Sequence, residues 1–361
     1  MARLSFIIPT RNRPAELRAT LARLGAYPRG LLGPTPEVIV IDNASASPAG
    51  QGVGRRLPNG ITVEFVRLEE NLGAAARNVG ATWASGDWLV MLDDDSAPVG
   101  GDLIATLDAQ PEDVGALGGE ILLPDGSHEA GGLPEVIIGC GCAIRRQSFL
   151  DLGGYDPAFG YYVEEYDLCA RLIRHDQRII HSRAITFEHR KVTAGRDFGD
   201  ILYRLVRNNA WVMARYAPDE HAADALQRML SRYEGIARRE NVIEAWQRAR
   251  ADIDGSLSGQ PRTPLSEKGW RRLTGAAAVA AHLVPALRRD DITSVHLIAE
   301  GKGADVIAHE LTQAGIRLCD QAPTAVIGTL SPGPLLDALA RDPDACAPWS
   351  LGHHDGILAR R

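Results

Sequence analysis

Five apolar residues, Trp88 to Leu92, run directly into three adjacent aspartates, Asp93, Asp94 and Asp95. Neighbouring carboxylates repel one another, and the end of a buried strand is an unfavourable place to gather them. A divalent cation removes that cost, and Mg2+ or Mn2+ held by one or two carboxylates also grips substrate phosphates. Along an extended segment Asp93 and Asp95 would point one way and Asp94 the other. An acidic turn wetted by solvent is the competing explanation. The apolar strand in front of the triplet favours the cation.

The same arrangement recurs through the first half of the chain, where short apolar runs alternate with helical patterns. This is the signature of a mostly parallel α/β sheet. Strands are expected at Leu4–Ile8, Val38–Ile41, Thr62–Val66 and Trp88–Leu92, and helices at Pro14–Leu24 and Ala74–Ser85. Ligands of such sheets sit beyond the carboxyl ends of the strands. Here those ends carry Thr10-Arg11-Asn12-Arg13, Asp42-Asn43-Ala44-Ser45 and the three aspartates. Loop wetness explains any one of these groups well, and the three together poorly.

Beyond the fourth strand, Ala143–Leu150 and Tyr166–His175 read as helices, and residues 200–250 are almost wholly helical. Asp252–Glu267 is polar with Gly, Ser and Pro, and reads as a linker. A tail of Ser294–Ile298, Ala304–Ala314, Leu318-Cys319 and Thr324–Ile327 reads as a small βαβ-like module.

The net charge of −7 gives no electrostatic reason to expect nucleic acid as a partner. Five scattered cysteines suggest reduced thiols, and the short apolar stretch before Pro9 is too brief for a secretory signal; both lead to a cytoplasmic expectation. Gly275–Leu287 is too short to span a bilayer. Its flanking Arg271, Arg272, Arg288 and Arg289 could touch anionic lipid at the inner face of a membrane, although an alanine-rich helix packed on a neighbour is preferred.

In order along the chain stand Phe6-Ile7-Ile8-Pro9-Thr10-Arg11-Asn12, Val40-Ile41-Asp42-Asn43-Ala44-Ser45, Asn71-Leu72-Gly73 with Ala76-Arg77-Asn78-Val79-Gly80, and Gly86-Asp87 leading to Leu92-Asp93-Asp94-Asp95. Arg145-Arg146, Gly153-Gly154-Tyr155-Asp156 and Glu164-Glu165-Tyr166-Asp167-Leu168-Cys169-Ala170-Arg171 follow. This series resembles the family 2 glycosyltransferases of the GT-A fold, over about Leu4 to Pro218. The resemblance implies a Rossmann-like catalytic domain at 1–218, while the patterns beyond it lead us to expect a helical extension and linker at 219–289 and a small α/β accessory module at 290–361. That module is expected to stand outside the donor site, serving docking or homo-oligomer contacts.

The resemblance also implies roles. Pro9, Thr10, Arg11 and Asp42 fall where the family holds base and ribose; Asn71, Gly73, Arg77 and Asn78 line the donor site. Asp93 matches the start of the family's DxD motif near ribose and metal, Asp94 beside it counts among the donor-binding residues, and Asp95 matches the motif's metal-ligating end. Glu165 matches the general base, as a glutamate where aspartate is usual, so Glu164 stays open as an alternative. An acidic cluster stabilising the helix start is the structural reading of both. His189, in Phe187-Glu188-His189, resembles a third metal ligand. Arg207-Asn208 resembles a late Arg-Asn pair without an assigned role.

The implied reaction is inverting transfer of a sugar from a nucleoside diphosphate, with UDP or dTDP favoured, to a saccharide or lipid-linked hydroxyl. The resemblance implies Mn2+ or Mg2+ as cofactor. Two rivals remain: a nucleotide-sugar-binding protein without turnover, and a sugar nucleotidyltransferase. The latter would want a glycine-rich, lysine-bearing loop after the first strand, where Thr10-Arg11-Asn12-Arg13-Pro14 stands instead. Gly301-Lys302-Gly303 lacks the third glycine of a dinucleotide fingerprint.

Overall fold

The computed structural model describes residues 3–192 and 197–351. The chain begins β1 (Leu4–Thr10), α1 (Pro14–Ala26), β2 (Glu37–Asp42), β3 (Thr62–Arg67), α2 (Ala76–Trp83), β4 (Trp88–Met91), β5 (Ser96–Gly101) and α3 (Leu103–Asp108). It continues β6 (Val114–Leu122), β7 (Cys142–Arg145), α4 (Arg146–Asp151), α5 (Glu164–Arg174) and β8 (Arg178–His189). These eight strands form one sheet in the order β3-β2-β1-β4-β7-β6-β8-β5. The first four in that row are parallel.

Every residue of β1 is buried, which is why its sequence is almost continuously apolar rather than alternating. Pro14 opens α1 with its φ already set for a helix, and Leu17, Leu21 and Leu24 cover the sheet. Gly80 lets α2 lie close, because a Cβ there would come within 2.6 Å of Ile7 Cγ2. The segment Ala143–Leu150, expected to be one helix, is divided. Cys142–Arg145 pairs antiparallel with both β4 and β6, and only then does α4 begin. A short apolar run cannot by itself tell a buried strand from a helix turn, and pairing on both sides decided it.

A helical layer follows: α6 (Phe198–Tyr216), α7 (Asp219–Arg239) and α8 (Ile243–Ser256), with a small core of its own that includes Leu202, Val206, Leu230, Tyr233 and Ile253. The expected linker is shorter than its composition suggested. Helix α8 runs through Ser256, and Thr263 and Leu265 donate backbone hydrogen bonds to Arg215 and Tyr216 at the end of α6. Next come α9 (Glu267–Thr274) and α10 (Ala276–Arg289), the latter burying Val279, Leu283 and Leu287. No helix among the described residues is long and apolar enough to cross a membrane.

The chain ends with β9 (Ser294–Ile298), α11 (Ala304–Gln313), β10 (Arg317–Leu318), β11 (Thr324–Ile327) and α12 (Pro332–Arg341). Its three strands are parallel in the order β10-β9-β11. This module is packed onto the larger sheet. Trp270 and Leu273 of α9 and Leu330 and Leu335 near α12 belong to the same buried cluster as Leu168 and Ile173 of α5. Arg272 grips Glu135, and His128 Nδ1 lies 2.6 Å from Asp337.

Candidate active site

Parallel register aligns the carboxyl ends of the first strands. Thr10 pairs with Asp42 and Asp42 with Arg67, while β4 lies on the other side of β1. Pro9 is buried within β1 and Arg11 is exposed at the rim. Asp42 Oδ1 accepts from Ser45 N and Oδ2 from Ala49 N, each at 2.9 Å. Burial pushes its carboxyl up, but these bonds and Arg67 outweigh it and hold the group below the usual range. An open pocket of about 320 Å3 lies beyond β2 and β3, lined by Ala44, Ser45, Arg67, Leu68 and Glu69.

Asn71 accepts from Gly73 N, and Asn43 ties Leu72 and Gly73 to the end of β2. Gly73 has φ +60°, and a Cβ there would meet Gly160 O at 2.2 Å, so no other residue fits this turn. The Asn78 amide is committed on both ends to the backbone of Tyr155, at 2.8 Å each, which fixes the Gly153-Gly154 turn. Asn78 therefore has a structural partner where the sequence suggested a donor contact.

The aspartates do not alternate as an extended strand would place them. Strand β4 stops at Met91, and a turn closes where Ser96 N donates to Asp93 O and Asp93 N to Ser96 Oγ. Asp93 pairs with the buried Arg77, which also donates to Leu92 O. Asp94 and Asp95 share one guanidinium: Arg13 Nη1 is 2.6 Å from Asp94 and Nη2 is 2.8 Å from Asp95. Asp94 also accepts from Thr10 Oγ1 at 2.8 Å. Burial pushes Asp94 up to about 7 despite Arg13. Burial acts on Asp95 too, but hydrogen bonds from His189 and Arg13 hold it far below the usual carboxylate range.

Pairing of β5 with β8 sets Ser96 opposite His189, bringing that histidine to the aspartate turn. His189 Nε2 is 3.4 Å from Asp95 Oδ1, and its Nδ1 is 2.7 Å from Glu129 and 3.7 Å from Cys140 Sγ. Burial opposes protonation of this imidazole, but Asp95, Cys140 and Glu129 together push it up to about 12. A carboxylate oxygen of Asp93, Cys140 Sγ and a ring nitrogen of His189 lie within 4.8 Å of one another, close enough to share one cation. Burial pushes the Cys140 thiol up to about 11.

Glu164 and Glu165 form the first turn of α5. Glu165 Oε1 accepts from Gly139 N at 3.1 Å. Glu164 is buried, and its Oε2 makes no hydrogen bond. Burial pushes both carboxyls above their ordinary value; for Glu164 the neighbouring Glu165 adds to this, and Arg77 opposes it at both. The approach to α5 is strained, with Tyr162 at φ +70° and Val163 at φ +74°. Asn208 holds it, its Nδ2 facing the carbonyls of Phe159, Tyr161 and Tyr162 at 3.0, 3.0 and 2.7 Å. Asp167 accepts from Arg171, Arg215 and Tyr216, joining α5 to α6.

Four residues here escaped the sequence reading. Arg13 sat in a loop already marked as polar, and Asn208 in a pair already marked without a role. Glu129 and Cys140 lie in long connections with no periodic or motif signal, and only the tertiary fold brings them to His189.

Residues 5–121 match the family model described as Glycosyl transferase family 2. Over that segment the chain is similar to family 2 glycosyltransferases. A Haemophilus influenzae protein described as an uncharacterized glycosyltransferase is 29% identical to it over 202 residues, covering 47% of this chain and 62% of that protein. A pre-mycofactocin glycosyltransferase of Mycobacterium tuberculosis is 28% identical over 221 residues, covering 54% and 44%. The chain thus spans less than two thirds of the length of these relatives. Among solved structures, S. aureus TarS superposes with a TM-score of 0.51 at 17% identity, covering 80% of this chain and 53% of that one. GalNAc-T7 with UDP, GalNAc and Mn2+ gives 0.51 at 17% identity, covering 74% and 59%. These likenesses agree with a GT-A arrangement of the mostly parallel sheet.

Proposed function

We propose that the chain is an inverting glycosyltransferase that moves a sugar from a nucleoside diphosphate, UDP or dTDP by preference, to an acceptor hydroxyl of a saccharide or lipid-linked sugar. Bacterial polysaccharide, glycolipid or glycoconjugate synthesis at the inner face of the membrane is the setting this reading favours. The observation that carries it is the convergence of Thr10, Asp42, Asp93 and Asp95 at one sheet edge with His189 beside them. The relatives named above are described as glycosyltransferases, and GalNAc-T7 was solved with a nucleotide and Mn2+.

The donor set suits a divalent cation: Asp93 and the buried His189 present ligand atoms to one point, and Asp95 stands against the imidazole. Asp93, His189 and Asp95 would hold the ion, Mn2+ or Mg2+, which when bound supplies positive charge against a diphosphate. Arg77 anchors Asp93, and Arg13 keeps Asp95 ionised. Glu165 then accepts the proton of the acceptor hydroxyl as its oxygen attacks the anomeric carbon in line and the nucleoside diphosphate departs. One displacement inverts that carbon without an enzyme nucleophile.

The deciding experiment is a screen of sugar nucleotides by nucleoside diphosphate release, with and without Mn2+, on the native chain and on Asp95→Ala. We expect turnover of a uridine or thymidine donor that needs the ion and vanishes in the variant. Unchanged affinity of Asp95→Ala for UDP with Mn2+, measured by calorimetry, would remove the metal assignment. Absence of release from every donor would leave a binding protein.

A further inference from the structure

We propose that Cys140 is a thiolate ligand in this cation site, so that the site takes Zn2+, Co2+ or Cd2+ in preference to Mg2+. The proposal deepens the metal site of the reading above and rests on that reading only for what the ion does to the donor. Cys140 Sγ is 3.7 Å from His189 Nδ1, and both side chains are buried. A tetrahedral ion with a metal–sulfur bond of about 2.3 Å and a metal–nitrogen bond of about 2.0–2.1 Å spans an S-to-N edge of about 3.6 Å. The spacing therefore matches two ligands of one ion. Asp93 adds a carboxylate oxygen within 4.8 Å of the sulfur and of a ring nitrogen of His189. Glu129, hydrogen-bonded to the same imidazole nitrogen at 2.7 Å, would give up that bond to the ion and stand beside it as a carboxylate.

Thiolate is a soft ligand that selects zinc-like ions, whereas Mg2+ and Mn2+ favour all-oxygen surroundings. On binding, the Cys140 S–H bond breaks, its proton leaves to solvent, and a sulfur–metal bond forms without change of oxidation state. The loop that carries the thiol is fixed on both sides. Gly139 N donates to Glu165, and Gly119 N donates to Gly141 O. The thiol thus sits one residue from the backbone contact of the proposed base.

The test titrates the full chain with CoCl2, with and without UDP, and follows the absorption spectrum. A sulfur-to-cobalt charge-transfer band is expected, absent from C140S and C140A. Zn2+ affinity should fall at least about tenfold in both variants, since even groups one shell outside a metal typically cost 10–100-fold. Cobalt uptake by calorimetry without the band, an unchanged band in either variant, or no uptake in any condition overturns the proposal. Nucleoside diphosphate release without a band discards the thiol ligand and leaves the glycosyltransferase reading intact. A band in a chain that releases nothing does the reverse.

Discussion

Lys302 donates from its Nζ to the hydroxyl of Tyr166 at 2.7 Å, fastening the C-terminal module to the residue that follows Glu165. Its ammonium also lies 5.2 Å from the centre of that ring. Burial lowers this lysine to about 8, Arg232 adds to the shift, and Glu165 opposes it.

A chain cut after Gly259 is therefore expected to lose stability as well as its tail. It uncovers the surface of α5 that α9 covers with the buried Trp270 and Leu273. Each such side chain contributes about 1.5–3 kcal/mol through burial. Thermal melts followed by circular dichroism should show a lower midpoint or aggregation. An unchanged midpoint would show that the two parts fold independently.

Glu165→Gln keeps the shape and removes the proposed proton acceptor, so turnover should fall about 10²–10⁴-fold while nucleotide affinity survives. A base must be ionised to act, and burial sets this carboxyl above its ordinary value. In the native chain kcat/KM should therefore climb with pH through that raised value, and the variant should lack this limb. Full activity in Glu165→Gln with loss in Glu164→Gln would move the base by one residue.

The buried Glu164, with an oxygen lacking a hydrogen bond, makes an opposite prediction for stability. A carboxyl raised in the folded state binds its proton more tightly there than in the unfolded chain. Stability is then lost as pH rises from the ordinary carboxylate range, about 4.3, through the raised value. Glu164→Gln should melt higher than the native chain at neutral pH and equal it near the acid end. A lower melting point at neutral pH would show that the ionised carboxylate has a partner.

Asn208→Ala removes the amide that donates to the carbonyls of Phe159, Tyr161 and Tyr162, of which Phe159 keeps Arg207 Nη2 at 3.2 Å. Loss of a hydrogen-bond donor at a buried carbonyl costs about 1–3 kcal/mol. Urea unfolding should register a loss in that range, and Asn208→Asp should do no better, because a carboxylate cannot donate. Turnover should fall with stability, since the strained Tyr162-Val163 turn aims Glu164 and Glu165. A loss below about 0.5 kcal/mol would mean that water takes over the amide's role.

The parallel half of the sheet was legible in the chain itself. Continuous apolar runs at β1, β2 and β4 can only be buried on both faces, and their polar ends mark the ligand edge. Periodicity acts over a few residues, so it also revealed α1 and the acidic first turn of α5. It could not reveal partners distant along the chain. That Asp95 meets His189 follows from the antiparallel pairing of β5 with β8, and that Asp94 and Asp95 share Arg13 follows from a turn replacing an extended end. Cys140 and Glu129 reach the imidazole through connections without pattern. Local sequence thus determined which strands exist and where a ligand edge lies. Long-range pairing decided which charges meet there, because the energy of a contact between distant residues is written in no single segment of either.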